Sequence, residues 1–266
     1  MIECRNCILP IHYYKDEYMW QYDMIHKRKS FHLFRGIERP LTDEEIEEIN
    51  TALGACKPLV GGIKVATKIV PANETTCRRG ETHCILFYSE KKEGYLENIG
   101  YIGEQIDLYL ASRDIGALWY GIGKPKEKNH SGLEYVIMIA FAKMPPKTFR
   151  KDMIKAKRNM LAEIREGEGF DEILNIARFA PSACNSQPWY VSCETKTLSV
   201  YRCTKPGKVG IMPEGSASYY NQIDIGIFLY ILELCIEHGG LVHARSLMFE
   251  HSDLEKNLTA QYEITT

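Results

Sequence analysis

Two glycine-bracketed apolar stretches set the strongest constraint on this chain. GEQIDLYLASRDIGAL begins at Gly103, and GIFLYILELCIEHGGL begins at Gly226. In both, another glycine follows 13 residues later (116 − 103 and 239 − 226). Both read as apolar helices closed by a glycine, the residue that most readily takes the left-handed cap conformation. They stand 123 residues apart (226 − 103), close to half of the 266 residues. A repeat at that distance predicts two related halves. The run IDIGIFLYILELCIEHGGL, 223–241, carries Glu233 and Glu237. It is too short and too charged to span a bilayer and is expected to form a core helix.

Other segments repeat less clearly. LTDEEIEEINTALGA (41–55) and GEGFDEILNIARFA (167–180) share an acidic first turn and an amphipathic pattern that ends in small residues. THCILFYSE (82–90) and SVYRCT (199–204) read as short strands, and EYVIMIAFAKMP (134–145) as a central strand, because it is almost uninterruptedly apolar. KTFRKDMIKAKRNMLAEIREGEGF (147–170), basic then acidic, reads as a solvated helix joining the halves. The expected fold class is α+β, two related half-domains that each carry a small β-sheet flanked by helices. The expected divisions are an N-terminal extension over 1–18, a first half over 19–165 and a second half over 166–266. The alternative is two unrelated α+β segments that share one glycine spacing.

Composition excludes several classes. Lys+Arg 33 against Asp+Glu 35 gives a net charge of −2, no electrostatic ground for a nucleic-acid or anionic-membrane partner. Nine scattered cysteines argue for reduced thiols in a cytoplasmic protein, not a disulfide framework. No N-terminal stretch has the order of a secretory signal. Cys4 and Cys7 form a single CxxC, two ligands where a zinc or iron–sulfur site usually needs four, and read as incidental thiols. HExxH, GxSxG and GxxxxGK[ST] are absent, and YGIGKP (120–125) has only the first two glycines of a dinucleotide fingerprint. The eight histidines show no metal-ligand spacing, so no metal site is expected.

Two segments carry candidate chemistry. In ARFAPSACNSQPW, 177–189, a helical pattern stops at Pro181 and is followed by small and amide side chains ending in Pro188-Trp189. In HKRKSFHLF, 26–34, Arg28, Lys29 and Ser30 are three consecutive phosphate-donor residues. His32 shares a side with Ser30 if the backbone is extended. A basic run on a solvated turn is the competing reading of RKS.

RKSFHLF, ARFAPSACNSQPW and IGALWYG resemble the FMN-dependent nitroreductase family over residues 22–245. The most specific part is PSxxNxQPW preceded by ARxA. In most of that family the protein is a homodimer with flavin at its interface. This chain resembles the tandem branch, in which two half-domains on one chain form an intramolecular pseudo-dimer. The first-half position parallel to PSACNSQPW reads CKPLVGG (56–62), and the second half has no matching RKS. The resemblance therefore implies one composite FMN site, in a monomer or weak homodimer.

The resemblance also implies roles. Arg28, Lys29 and Ser30 would bind the FMN phosphate and ribityl chain, with Lys157 or Arg158 closing on the phosphate. Trp119, Tyr120 and Gly121 would form the turn against the flavin, where the Gly121 N–H, taken as the catalytic donor, faces N5. Pro181, Ser182 and Ala183 would line the ring edge from the other half, and Asn185 and Gln187 would shape the pocket. His32 stands where the family usually has Arg or Lys. A histidine near its ordinary pKa of about 6.5 would make flavin reduction depend on pH between about 6 and 8. The implied activity is ping-pong electron transfer from NAD(P)H to nitroaromatics, quinones or similar small acceptors. Alternatives are a reductive dehalogenase or dehydrogenase on the same scaffold, and a flavin store or redox-responsive binding protein without turnover.

Overall fold

The computed structural model describes residues 12–204, 214–249 and 254–265. The Cys4–Cys7 pair lies outside them. Helix α1 (His12–Lys27) runs through Met19, where the first half was expected to begin. Helix α2 (Asp43–Ala55) opens with a capping box. Glu45 N donates to Thr42 Oγ1 at 3.2 Å and Thr42 N to Glu45 Oε2 at 3.0 Å, satisfying two backbone donors at once.

The two halves repeat one order of elements: a hairpin, a long helix, then further strands. The first has β1 (Val65–Pro71), β2 (His83–Ser89), α3 (Tyr95–Ser112), β3 (Ile115–Trp119), the two-residue β4 (Asn129–His130) and β5 (Leu133–Lys143). The second has α4 (Leu161–Ile164), β6 (Arg165–Gly167), α5 (Asp171–Ala177), β7 (Trp189–Glu194), β8 (Thr197–Cys203), α6 (Ala217–His238), β9 (Val242–Leu247) and β10 (Lys256–Thr265). The first sheet runs β1-β2-β5-β3 and the second β6-β7-β8-β10-β9. Apart from the parallel β6 at its edge, the second sheet copies the antiparallel order of the first. β5 lies between β2 and β3, which explains its continuous apolar run. This is the expected α+β class, with two related halves that each carry a small sheet and helices.

Helices α3 and α6 are buried along most of their length and cross closely. A Cβ on Gly100 would lie 2.0 Å from the Ile223 carbonyl oxygen, and one on Gly226 would lie 1.9 Å from that of Glu97. The contacts are reciprocal, since Gly100 and Gly226 (226 − 100) and Glu97 and Ile223 (223 − 97) are each 126 residues apart. The halves thus repeat at 126, not at the expected 123. Gly103 does not lie at the crossing; its Cβ position faces the Trp119 ring at 2.3 Å.

The second glycines also differ from expectation. Gly116 lies inside β3, and after α3 the left-handed residue is Asp114 (φ 55°). Gly239 does cap α6, but with φ −68°, and the left-handed residue is Gly240 (φ 75°). The connection over 147–170 is not one helix. Residues 149–160 form turns and extended chain, followed only by the four-residue α4 and the short β6. Tertiary partners take up the backbone here: Arg150 N donates to Lys27 O at 3.1 Å and Asn159 N to Gln187 Oε1 at 2.8 Å. The expected division at residues 165 and 166 falls within β6.

One core joins α3, α6 and the facing sides of both sheets. A second covers the other face of the first sheet, where Phe31, Phe34 and Phe149 pack over Leu86, Tyr88 and Met138.

Candidate active site

A narrow cleft with a volume of about 100 Å³ opens where the halves meet. Leu118, Trp119, Gly121 and Ile137 come from the first half, and Ile223, Asp224 and Ile227 from α6. Of the residues singled out in the sequence, Ser30, His32, Trp119, Gly121, Pro181, Ser182 and Ala183 line it. Arg28, Lys29, Tyr120, Lys157, Arg158, Asn185 and Gln187 are not part of the lining.

Ser30 sits in the cleft because its strand adds to the first sheet. It bridges Ala117 in parallel, and Phe31 N donates to Ala117 O at 2.9 Å. The extended backbone puts Ser30 and exposed His32 on the same cleft. Arg28 is buried in an ion pair with Asp107 at 3.0 Å, and its Nη2 donates to Ser30 Oγ at 3.4 Å. Lys29 lies over the Phe31 ring. Trp119 Nε1 donates to Asp107 Oδ2 at 3.1 Å, which fixes the indole at the cleft wall. Burial raises both Asp107 and its fully buried neighbour Glu104, and the Asp107 charge adds to the rise of Glu104; Arg28 and Trp119 oppose the rise in both.

The turn after β3 is held from the other half. Tyr220 Oη donates to Gly121 O at 2.8 Å, and a Cβ on Gly121 would lie 2.6 Å from the Tyr220 ring. The Gly121 N–H makes no hydrogen bond among the described residues. Tyr120 points elsewhere; Arg79 lies over its ring.

The opposite wall is a strained loop. Cys184, Asn185 and Gln187 take positive φ of 51°, 58° and 51°. Such backbone costs roughly 1–3 kcal/mol per residue and persists only where surroundings enforce it. Ala183 N donates to both carboxylate oxygens of Asp224 at 3.0 Å, and Ser186 Oγ donates to Oδ2 at 3.3 Å. Burial pushes the Asp224 carboxyl up to about 8, outweighing these two donors. Gln187 N donates to Ser182 Oγ at 3.0 Å. Asn185 and Gln187 do not face the cleft but tie the loop to the inter-half connection. Asn185 Oδ1 accepts from Arg158 Nη1 at 2.7 Å, and Gln187 Oε1 from Asn159 N at 2.8 Å.

Arg158 Nε also donates to Ala180 O at 3.2 Å, beside Pro181 of the cleft. Burial and repulsion from Arg28, Arg150 and Arg178 lower it to about 10, still charged at neutral pH. Among the described residues, Arg150, Arg158 and Arg178 form no ion pair. Several guanidinium groups against the single Asp107 carboxylate suit a polyanionic group such as a phosphate. Exposed Lys157 contributes its carbonyl, which accepts from Asn185 Nδ2 at 3.2 Å.

Sequence reasoning missed Asp224 and Tyr220. A lone Asp in the apolar run of α6 was the available signal, since a buried carboxylate needs donors.

The place related to this cleft by the 126-residue repeat is filled. Asp107 corresponds to Glu233 (233 − 107) and Trp119 to Arg245 (245 − 119). Arg245 Nη1 meets Glu233 Oε1 at 2.5 Å, and its Nη2 donates to Leu59 O at 3.2 Å. Tyr101 and Tyr262 each donate to Glu233 at 2.7 Å. Burial works to raise the Glu233 carboxyl, but His243, Arg245 and the tyrosines leave it below its ordinary value. Asn98, the counterpart of Asp224 (224 − 98), accepts from Leu59 N at 2.8 Å and Val60 N at 3.1 Å, so CKPLVGG stands where PSACN stands opposite.

Among solved structures, the chain is similar to a "putative nitroreductase" from Thermotoga maritima, over 98% of this chain and 99% of that one, at 19% identity and a TM-score of 0.63. That likeness places the fold in the nitroreductase class. The family model described as "Putative TM nitroreductase" matches residues 21–236, and the chain belongs to that family, a family of oxidoreductase type. Shorter similarities are to a nitroreductase family protein from Clostridium difficile (12% identity, 56% of this chain and 98% of that one, TM-score 0.43) and to a "putative nitroreductase in complex with FMN" from Desulfovibrio desulfuricans (17%, 56% and 97%, 0.40). No curated protein matches.

Proposed function

We propose that this protein is an FMN-dependent oxidoreductase that draws electrons from NAD(P)H and passes them, by a ping-pong mechanism, to nitroaromatic, quinone or similar small acceptors. The observation that carries the reading is the cleft itself. It has apolar walls from both halves, a Gly121 N–H without an acceptor among the described residues, and guanidinium groups near Ser30 and Pro181. When bound, FMN would supply reversible electron transfer at its ring.

The chain's own residues bind and orient that group. Leu118, Ile137, Ile223 and Ile227 exclude water from its faces. Trp119, pinned by Asp107, limits its position. Gly121 offers a backbone donor where no side chain fits. Ser30 with Arg28, Lys29 and Arg158 would hold the phosphate end, and Pro181, Ser182 and Ala183 the ring edge. Exposed His32 stands in the cleft lining beside Ser30. In the same reading, residues 19–165 and 166–266 are an intramolecular pseudo-dimer with one composite site, in a monomer or weak homodimer.

An absorption spectrum of the purified protein, before and after NADH or NADPH, tests this. One FMN per chain that bleaches with NAD(P)H and recovers its colour with a quinone supports the enzyme. Bound flavin that ignores NAD(P)H favours a flavin store. Protein that stays colourless after incubation with FMN removes the flavin reading.

A further inference from the structure

A cluster outside the cleft has no part in that reading. Cys77 and Glu81, from the loop joining β1 to β2, meet Cys84 of β2, and their ligand atoms all lie within 4.8 Å of one another. Both thiols are 0% exposed and Glu81 is 8% exposed. Glu81 Oε2 accepts from Arg79 N at 2.7 Å, which fixes the carboxylate in the loop near two buried thiols, a mixed S/O donor set that a metal ion would suit.

We propose that Cys77, Glu81 and Cys84 bind a structural zinc ion. Thiolates with one carboxylate are a donor set for a thiophilic d10 cation. Zn–S bonds of about 2.3 Å in a tetrahedron put sulfur atoms about 3.8 Å apart, so the cluster needs only small side-chain adjustments to close on the ion. Charge favours a divalent ion over a monovalent one. Two thiolates and a carboxylate leave a net −1 around Zn(II), and Arg78, whose Nη1 donates to Thr75 O at 2.8 Å, lies beside it. An oxygen within reach of the fourth position is Thr75 Oγ1, 3.7 Å from Cys84 Sγ and hydrogen-bonded to Cys77 N at 3.1 Å. As each S–Zn bond forms, the thiol gives its proton to solvent.

The ion would stiffen a loop that the cleft depends on. Phe34 N donates to Arg79 O at 2.8 Å, and Gly80, at φ +88°, leaves only 2.9 Å between a would-be Cβ and Phe34 O. Phe31 and Phe34 share a core with Cys77 and Cys84, and the same short segment carries Ser30 and His32.

Metal content of the full-length protein, with Co(II) in place of zinc as a spectroscopic probe, tests the proposal. One zinc per chain is expected, and cobalt should give the thiolate charge-transfer band with the visible bands of a tetrahedral site. Cys77→Ser and Cys84→Ser should abolish the band, while a Cys4→Ser/Cys7→Ser variant should keep it. Because buried thiol variants can misfold, Glu81→Gln provides a milder change, expected to weaken cobalt binding at least about tenfold with both thiols intact. Chelation should lower the wild-type melting temperature, and zinc should restore it. No thiolate–cobalt band in the wild type, a band that survives both Cys77→Ser and Cys84→Ser, or a Cys77–Cys84 disulfide in the purified protein would overturn the proposal.

Discussion

The cleft and its counterpart start from the same scaffold and end in opposite states. At Asp107 and Trp119, a carboxylate orients an indole and leaves a hollow. At Glu233 and Arg245, a longer acid and a cation meet directly, two tyrosines close over them, and Leu59 seals the space. The loops diverge in parallel. PSACN, strained and held by Asp224, lines an opening, whereas CKPLVGG is held by Asn98 against buried Leu59. A fold can thus keep the geometry of two sites while changing a few side chains so that only one stays open.

The helix crossing is where the comparison can be broken most severely. Gly100→Ala and Gly226→Ala each drive a methyl group into the opposite backbone, and each should cost about 3 kcal/mol or more. Urea unfolding should give similar losses for both. A large loss for one and none for the other would refute the reciprocal contact.

Next come the two acids. Glu233→Ala leaves the half-buried Arg245 without its carboxylate and buried Tyr101 and Tyr262 without their acceptor, and should cost about 3 kcal/mol, yet leave FMN affinity near wild type. Asp107→Ala releases both Arg28 and Trp119 and should lose FMN as well as stability. Paired unfolding and flavin titrations read both effects. Equal loss of FMN in the two variants would mean that the filled side is not inert.

Arg158→Ala should weaken FMN about 10- to 100-fold by equilibrium titration, the scale of a lost charge-assisted contact. Arg245→Ala should not weaken it.

Asp224 gives a smaller, pH-dependent contrast. Its folded carboxyl lies near 8 against an ordinary 3.8, so the native state binds the proton more tightly than the unfolded chain. This contribution to stability is full below about 4 and is lost as pH rises through about 8. Glu97, pushed up to about 7 by burial, acts in the same direction. Asp224→Asn should remove this residue's share of the fall in stability across the window, measured by unfolding at several pH values. Asn98→Asp should steepen it.

Much of this was legible in the sequence for local reasons. The apolar run of β5, the acid-led α2 and the proline break after ARFA are set by neighbours along the chain. The register of the repeat was not. Glycine spacing marks where a helix can be approached, but only the crossing reveals that Gly100, and not Gly103, meets the partner helix. The connection after β5 has helical spacing in sequence, but its backbone bonds to Lys27, Asn185 and Gln187, partners that no local pattern reveals. Asp224 and Tyr220 escaped notice because their partners, Ala183 and Gly121, are far from them in sequence.

The chain between β5 and α4 has a further consequence. It joins the two walls of the cleft covalently, so each wall meets the other at an effective concentration set by the tether and not by the amount of protein. Diluting the protein cannot pull such a site apart. Flavin occupancy should then follow the concentration of free FMN alone, even where a two-chain site of the same strength would dissociate.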